Sequence, residues 1–299
     1  MAGSDQPWTE MPARLDVAVV GTGRVGSVLG AALKNAGHNI IACTAISDVS
    51  RLRAESLLPG VPIKPLAQAI DSCDLVLFAV PDDVLPGLIE GLASTNQIGP
   101  GTFVVHTSGR FGDEIFDPLT ANGCLPLALH PVMTFTGTSV DLNRLNGCPF
   151  GITAPIQLRA VAEALVMEMG ADPVWVPREA RALYHAALAF GANHLMTLVN
   201  ETVDLLASVG IENPTDLVRP LFGASLDNAL RDGDQALTGP VVRGDAETVR
   251  AHIDALNSSD HQLDAHAYRV LARITAKRAL ESGRLSADVA ERLLEVLGD

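Results

Sequence analysis

LDVAVVGTGRVGSVLGAALKNAGHNIIACT, residues 15–44, decides how the front half of this 299-residue chain folds. An apolar run, LDVAVV, leads straight into the glycine turn GTGRVG (21–26). The helical pattern SVLGAALKNAG follows, and then a second β-rich run, NIIACT (39–44). A lone GxGxxG carries little information. Strand, glycine turn, helix and second strand within about thirty residues are the setting in which it acts as a dinucleotide-binding loop. There glycines let backbone approach a pyrophosphate, and the helix N-terminus supplies free N–H groups and a positive dipole end. This reading places Gly21, Thr22, Gly23, Arg24, Val25 and Gly26 against a cofactor.

Working outward, DLVLFAVP (74–81), TFVVHTS (102–108), LPLALHP (125–131), PFGIT (149–153) and PVWVP (173–177) continue the strand pattern, with a helix over roughly 155–170. Near-continuous apolar runs fit strands covered on both faces, so the class is α/β with a mostly parallel sheet. From Arg178 onward the pattern is helical throughout, broken by GIENP (210–214) and RDGDQALTGPVVRGD (231–245). The expected organisation is a tail over 1–14, a dinucleotide-binding domain over 15–177 and a helical substrate or dimerisation domain over 178–299.

Composition narrows the partners. With 21 Lys and Arg against 35 Asp and Glu, the net charge is −14, and no basic tract offsets it. Nucleic acid and anionic membrane are excluded as partners on this balance. An anionic ligand has to be held by a few local arginines and backbone amides. Four widely spaced cysteines, with no CxxC, fit reduced thiols in the cytoplasm, and neither a signal peptide nor a membrane span is expected. No metal site is expected either; His252, His261 and His266 lack metal-type spacing.

Three strand ends are chemically unusual: AVPDD (79–83), HTSG (106–109) and HPVMTFTG (130–137). In open parallel sheets ligands sit beyond such ends. Val80 and Pro81 shape a wall beside the cofactor, and His106 and Thr107 lie near its reactive ring. Ser108 and Thr134 offer hydroxyls to a carbonyl or carboxylate. His130 emerges at the sheet's edge. At the end of the second strand stand Thr44, Ala45, Ile46 and Ser47 instead of the acid that bonds NAD ribose hydroxyls. Arg24, Arg51 and Arg53 lie nearby. NADP(H) is therefore favoured over NAD(H). For each strand end the competing reading is a turn whose polar groups cap the next helix.

ALYHAALAFGANHL (182–195) is an Ala- and Leu-rich helix interrupted by Tyr184, His185, Asn193 and His194. At 100° per residue, His185, Asn193 and Asn200 share one flank, while His194 faces away and Tyr184 turns about 100° the other way. His185 and Asn193 are candidate catalytic residues with His130; His194 is structural. In LTGPVVRGD (237–245), Thr238 and Arg243 are candidates for a substrate carboxylate. A structural alternative has Asp245 capping a helix and pairing with Arg243.

GTGRVGS, LFAVPDD, VVHTSG, LALHPVMTFTG, LYHAALAFGANHL and TGPVVRGD together resemble a bacterial family with a Rossmann-like N-terminal domain and a poorly characterised helical C-terminal domain. Its members are described as candidate NADP-binding oxidoreductases, and some relatives are linked to pantothenate synthesis as atypical ketopantoate reductases. More distantly the chain is similar to the 6-phosphogluconate dehydrogenase and pyrroline-5-carboxylate reductase groups. The resemblance implies a Rossmann-type sheet followed by a 6-phosphogluconate dehydrogenase-like helical domain and a homodimer formed through those helices. It also implies reduction of a small 2-oxo acid, 2-dehydropantoate being the named candidate. The β-hydroxyacid dehydrogenases carry a lysine and a glutamate on the first helix after the sheet. Placing Glu201 on that glutamate puts His185 where the lysine would be and Ala189 on its companion asparagine. Pyrroline-5-carboxylate reductases manage without the lysine, and HPVMTFTG resembles the histidine-proline motif of prephenate dehydrogenases. The alternatives are therefore a cyclic-imine reductase, a prephenate-like dehydrogenase, or a nucleotide sensor without turnover.

Overall fold

In the computed structural model, which describes residues 14–258 and 262–298, the apolar runs of the front half form one seven-stranded sheet. Residues 1–13, most of the expected tail, and His261 lie outside the described residues. In chain order the first half contains β1 (Asp16–Val20), α1 (Arg24–Asn35), β2 (Asn39–Thr44), α2 (Asp48–Leu57), the short α3 (Leu66–Ala69), β3 (Leu75–Phe78), α4 (Leu85–Ser94) and β4 (Phe103–His106). The short α5 (Asp117–Thr120), β5 (Leu125–Pro131), the short α6 (Val140–Arg144), β6 (Pro149–Thr153), α7 (Arg159–Glu168), β7 (Asp172–Trp175) and the long α8 (Arg181–Ser208) follow. The sheet order is β2-β1-β3-β4-β5-β6-β7. All neighbours are parallel except β5 and β6.

Alternation along each strand feeds two cores. Val17 and Val19, with Leu75 and Leu77, pack under α1 and α7 against Leu29, Leu33, Leu165 and Val166. Ala18 and Val20, with Val76 and Phe78, pack on the other face against Leu85, Ile89 and Leu92 of α4. Both faces are covered, so the strand interiors are almost continuously apolar, and each buried Val or Leu contributes about 1.5–3 kcal/mol. β1 sits between β2 and β3, so the chain reverses direction across the sheet there. The crevice beyond the carboxyl ends of β1 and β3 is the topological switch point at which such sheets bind ligands.

The remaining elements are α9 (Pro214–Asp232), the short α10 (Pro240–Arg243), α11 (Ala246–Ser258), α12 (Gln262–Glu281) and α13 (Ala287–Leu297). Val249 and Ile253 of α11 pack with Ala272 and Ala276 of α12 and with Leu293 and Leu297 of α13. The chain forms two compact units that divide inside α8, between Gly191 and Ala192. The composition shift at Pro177 marks only the end of the strand-bearing region, because the first turns of α8 pack on the sheet through Arg181 and Tyr184.

Candidate functional site

Each glycine of the turn after β1 has its own physical reason. Gly21 has φ +94°, and a side chain there would approach the Ala79 carbonyl oxygen after β3 to 2.7 Å. A side chain at Gly26 would collide with the Gly21 carbonyl and with the Ala79 Cβ, so α1 packs directly on the turn. Gly23 faces open space, and as N-cap of α1 it uses no side chain to cap the helix. Tight turn, open approach and close helix packing are the three glycine roles of a dinucleotide loop.

Around the turn, side chains expected on the cofactor are partly committed elsewhere. The Thr44 hydroxyl accepts the Gly21 N–H at 2.8 Å, and the Thr44 carbonyl accepts both the N–H and the hydroxyl of Thr22, each at 3.0 Å. Thr22 is fully buried and also reaches the Ser50 carbonyl at 3.1 Å. Its side chain is a structural pin, which leaves only its backbone for the turn expected to meet the cofactor. Ser47 caps α2 by accepting the Ser50 N–H at 3.2 Å. Val25 and Val80 are half-buried, and Pro81 is exposed beyond β3.

Arg24 and Arg51 are exposed and Arg53 is half-buried; no ion pair holds any of them among the described residues. A side chain at Gly137 would stand 2.8 Å from Arg53 Nε and 3.1 Å from Arg24 Cα, so the TFTG loop after β5 lies beside both. Buried Asp141 folds that loop back by accepting the N–H groups of Thr136 and Gly137 at 2.8 and 2.7 Å. Thr134, in the same loop, is exposed. In a chain of net charge −14, unpaired guanidiniums beside a backbone anion site are the local exception.

Two residues of the HTSG turn are spent on the turn itself. His106 is fully buried; its Nε2–H donates to the Gly112 carbonyl at 2.8 Å, and Nδ1 accepts the Ser108 N–H at 3.2 Å. Burial lowers its pKa to about 3, Arg181 and His130 adding to the effect while the bond to Gly112 opposes it. His106 is thus a neutral staple of the turn, both ring nitrogens engaged within it. Ser108 is buried, and its hydroxyl accepts the N–H groups of Arg110 and Phe111 at 3.1 and 3.3 Å. This hydrogen bonding is that of the capping-turn alternative. Thr107 between them is half-buried.

Gly109 faces two imidazoles. A Cβ at this residue would lie 2.8 Å from His130 Nε2 and 2.8 Å from His185 Cδ2, so its bareness lets both rings pack directly against the backbone. The rings of His130, from the end of β5, and His185, from the first turns of α8, are 6.0 Å apart and nearly perpendicular. His130 Nδ1 is hydrogen-bonded to the Tyr184 hydroxyl at 2.8 Å. That hydroxyl occupies the place a side chain at Gly151 of β6 would take, directly across the ladder from His130. Burial, then the charge of Arg181, then His185, push the His130 pKa down to about 4, so at neutral pH the ring is uncharged. Burial raises the Tyr184 phenol.

Helical angle alone turns Tyr184 away from the flank shared by His185 and Asn193. It reaches His130 because β6 runs antiparallel and offers a glycine opposite it. Arg181 carried no sequence signal at all, since its partners are mainly backbone carbonyls. Asn193 is exposed on α8 in the second unit, as are Thr238 and Arg243 beside α10. In that unit Asp245 accepts the N–H and hydroxyl of Thr248 at 3.0 and 2.6 Å, capping α11 without an ion pair to Arg243 among the described residues. No cluster of His, Cys, Asp and Glu suited to a metal occurs among the described residues.

Comparison with known proteins agrees with this architecture. Residues 1–131 match the model of a Rossmann-like domain, and residues 148–275 match that of a domain of unknown function, DUF2520. The chain joins a Rossmann-like domain to a DUF2520 domain. Among solved structures, a candidate NADP oxidoreductase from Bacteroides fragilis superimposes with a TM-score of 0.73 at 20% identity, covering 88% of this chain and 98% of that one. A protein from Thermotoga maritima gives 0.68 at 23% identity, covering 90% and 100%. A curated relative, the glycerol-3-phosphate dehydrogenase [NAD(P)+] of a Bradyrhizobium strain, is 28% identical over 174 residues, 52% of this chain. The matched region spans half the length of that relative and 23% of the next, from Lactobacillus delbrueckii.

Proposed function

We propose that this protein is an NADP(H)-dependent oxidoreductase that reduces a small 2-oxo acid, with 2-dehydropantoate as the first substrate to try. The observation that carries the reading is the glycine turn at the switch point with the His130 and His185 imidazoles, packed over Gly109, on the same sheet edge. Gly21, Gly23 and Gly26 with the N-terminus of α1 hold the pyrophosphate, and Arg24, Arg51 and Arg53 receive a 2′-phosphate. The nicotinamide, when bound, supplies the hydride.

The chain's own residues handle the proton. A carbonyl oxygen that reaches His130 accepts a hydrogen bond from its Nε2–H. As that oxygen gains negative charge, the Nε2 proton moves to it while Nδ1 takes the proton of the Tyr184 hydroxyl; Nδ1 then returns that proton to the Tyr184 oxygen as Nε2 takes one from solvent, which restores the starting state. The imidazole thus stays uncharged throughout, in keeping with its lowered pKa. Positioned donors of this kind typically contribute 10²–10⁴-fold. Asn193, Thr238 and Arg243 belong to the second unit, and this mechanism does not call on them.

Large apolar side chains lie exposed on α8 and α9: Leu183, Phe190, Met196, Leu221 and Leu230. A second copy of the chain covers them in this reading, and light scattering would show a dimer. Four free, buried thiols fit a cytoplasmic protein, and no described helix is long and apolar enough to cross a membrane. The decisive experiment is NADPH oxidation across a panel of 2-oxo acids and cyclic imines. Turnover of an oxo acid supports the proposal. Tight NADPH binding with no turnover of any substrate leaves the nucleotide-sensor alternative.

A further inference from the structure

Arg181 opens α8 and is 2% exposed. Its Nε donates to the Thr153 hydroxyl at 2.7 Å, Nη1 to the Ser108 carbonyl at 3.3 Å, and Nη2 to the carbonyls of Ala128 and Gly151 at 3.1 and 2.8 Å. The Thr153 hydroxyl passes its own hydrogen to the Val176 carbonyl at 2.6 Å. No carboxylate lies within ion-pair distance among the described residues; Glu114 and Asp113 act on it only from farther away. Keeping a full charge out of water without a counterion costs several kcal/mol, and hydrogen-bonding three carbonyls does not in itself call for a permanent cation.

Its partners show where that charge is used. Ser108 immediately precedes Gly109, Ala128 lies two residues before His130, and Gly151 is the residue paired with His130 across the sheet. Tyr184 follows one helical turn later, its ring centroid 5.7 Å from the guanidinium carbon. The guanidinium therefore ties together the segments that carry Gly109, His130 and Tyr184.

We propose that Arg181 is the positioning residue of this site: it fixes the ends of β4, β5 and β6 to α8 so that His130 holds its Nε2–H beside Gly109, and its buried charge selects a substrate whose reacting atom becomes negative over one that arrives as a cation. A carbonyl turning into an alkoxide fits; a protonated cyclic imine does not. The proposal rests on the reductase reading for its substrate class, but its account of His130 stands apart from turnover. The groups facing His130 are Tyr184, His185 and Arg181 of α8 and His106 of β4. The cation among them disfavours a second proton on the ring, and the Tyr184 hydroxyl, donating to Nδ1, leaves the single proton on Nε2.

The test labels histidine nitrogens in the full-length protein and follows them by NMR in wild type, Arg181→Lys and Arg181→Met. The wild-type His130 ring should be neutral and protonated at Nε2 near neutral pH. In Arg181→Met its pKa should rise by on the order of one unit. In Arg181→Lys, which keeps charge but loses the fork, it should stay low. Oxo-acid kcat should fall about 100-fold in the Met variant, with NADPH affinity retained. A wild-type ring charged or protonated at Nδ1 near neutral pH overturns the proposal, whether or not Arg181→Met folds. So does a folded Met variant whose His130 titrates as in wild type, or turnover of cyclic imines with none of oxo acids. Absence of any turnover, with NADPH bound and His130 as expected, removes the reductase reading while leaving Arg181 as the residue that sets His130.

Discussion

The glycine turn and the histidine cluster lie on one sheet edge and work by opposite means. The turn is contiguous, residues 21–26, and its chemistry is backbone: bare N–H groups, a helix end and glycines whose missing side chains permit close approach. The cluster gathers Gly109, His130, Tyr184 and His185 from three distant segments, held by a guanidinium that bonds the backbone beside them. The first has no titratable ring and no room for a side chain at Gly21 or Gly26. The second depends on buried titratable rings and on the buried charge of Arg181.

Acid should separate the two regions most strongly. His106 and His130 are neutral in the folded protein, with pKa values of about 3 and about 4 against the ordinary 6.5. The unfolded chain therefore takes up protons first. Stability contributed by burying these rings uncharged is whole above pH 6.5 and falls as the pH drops toward 4 and 3, by roughly 5 kcal/mol at about pH 4. Denaturant titrations across this range should show the loss, and His106→Asn should reduce its steepness. A flat profile would mean that neither ring is buried neutral.

Gly26→Ala comes next. Its methyl group meets the Gly21 carbonyl and Ala79 in packed backbone, so NADPH affinity should fall by more than about 100-fold and stability by about 1–3 kcal/mol. Calorimetry and thermal melts check both. Gly109→Ala sharpens the contrast: it pushes on His130 and His185, so kcat should drop about 100-fold while NADPH binding is unchanged. Loss of cofactor affinity instead would mean that the two regions are not separate. The smallest effect is expected from Arg53→Ala, about tenfold weaker NADPH binding with NADH unaffected, measured by competition. Equal losses for both cofactors would remove the 2′-phosphate role.

The chain's order of residues was sufficient for the sheet. β2, β5 and β6 lie where NIIACT, LPLALHP and PFGIT place them, because strands covered on both faces read as mostly apolar runs, with polar residues confined to their ends. It was sufficient for the glycine turn too, since turn, approach and packing are demands on neighbouring residues. Histidine and serine in HTSG were visible as polar groups at a strand end, but local sequence does not tell a staple from a ligand contact. That distinction lies in whether Gly112 and Phe111 fold back to use them.

Tyr184 and Arg181 were settled only in three dimensions. The antiparallel turn of β6 sets Gly151 opposite His130 and makes the gap that the phenol fills. Arg181 is bound mainly by carbonyls, which every residue carries, so no residue type marks its partners. Sequence determines what each segment can bury; which polar atoms then meet is decided by the path of backbone between them.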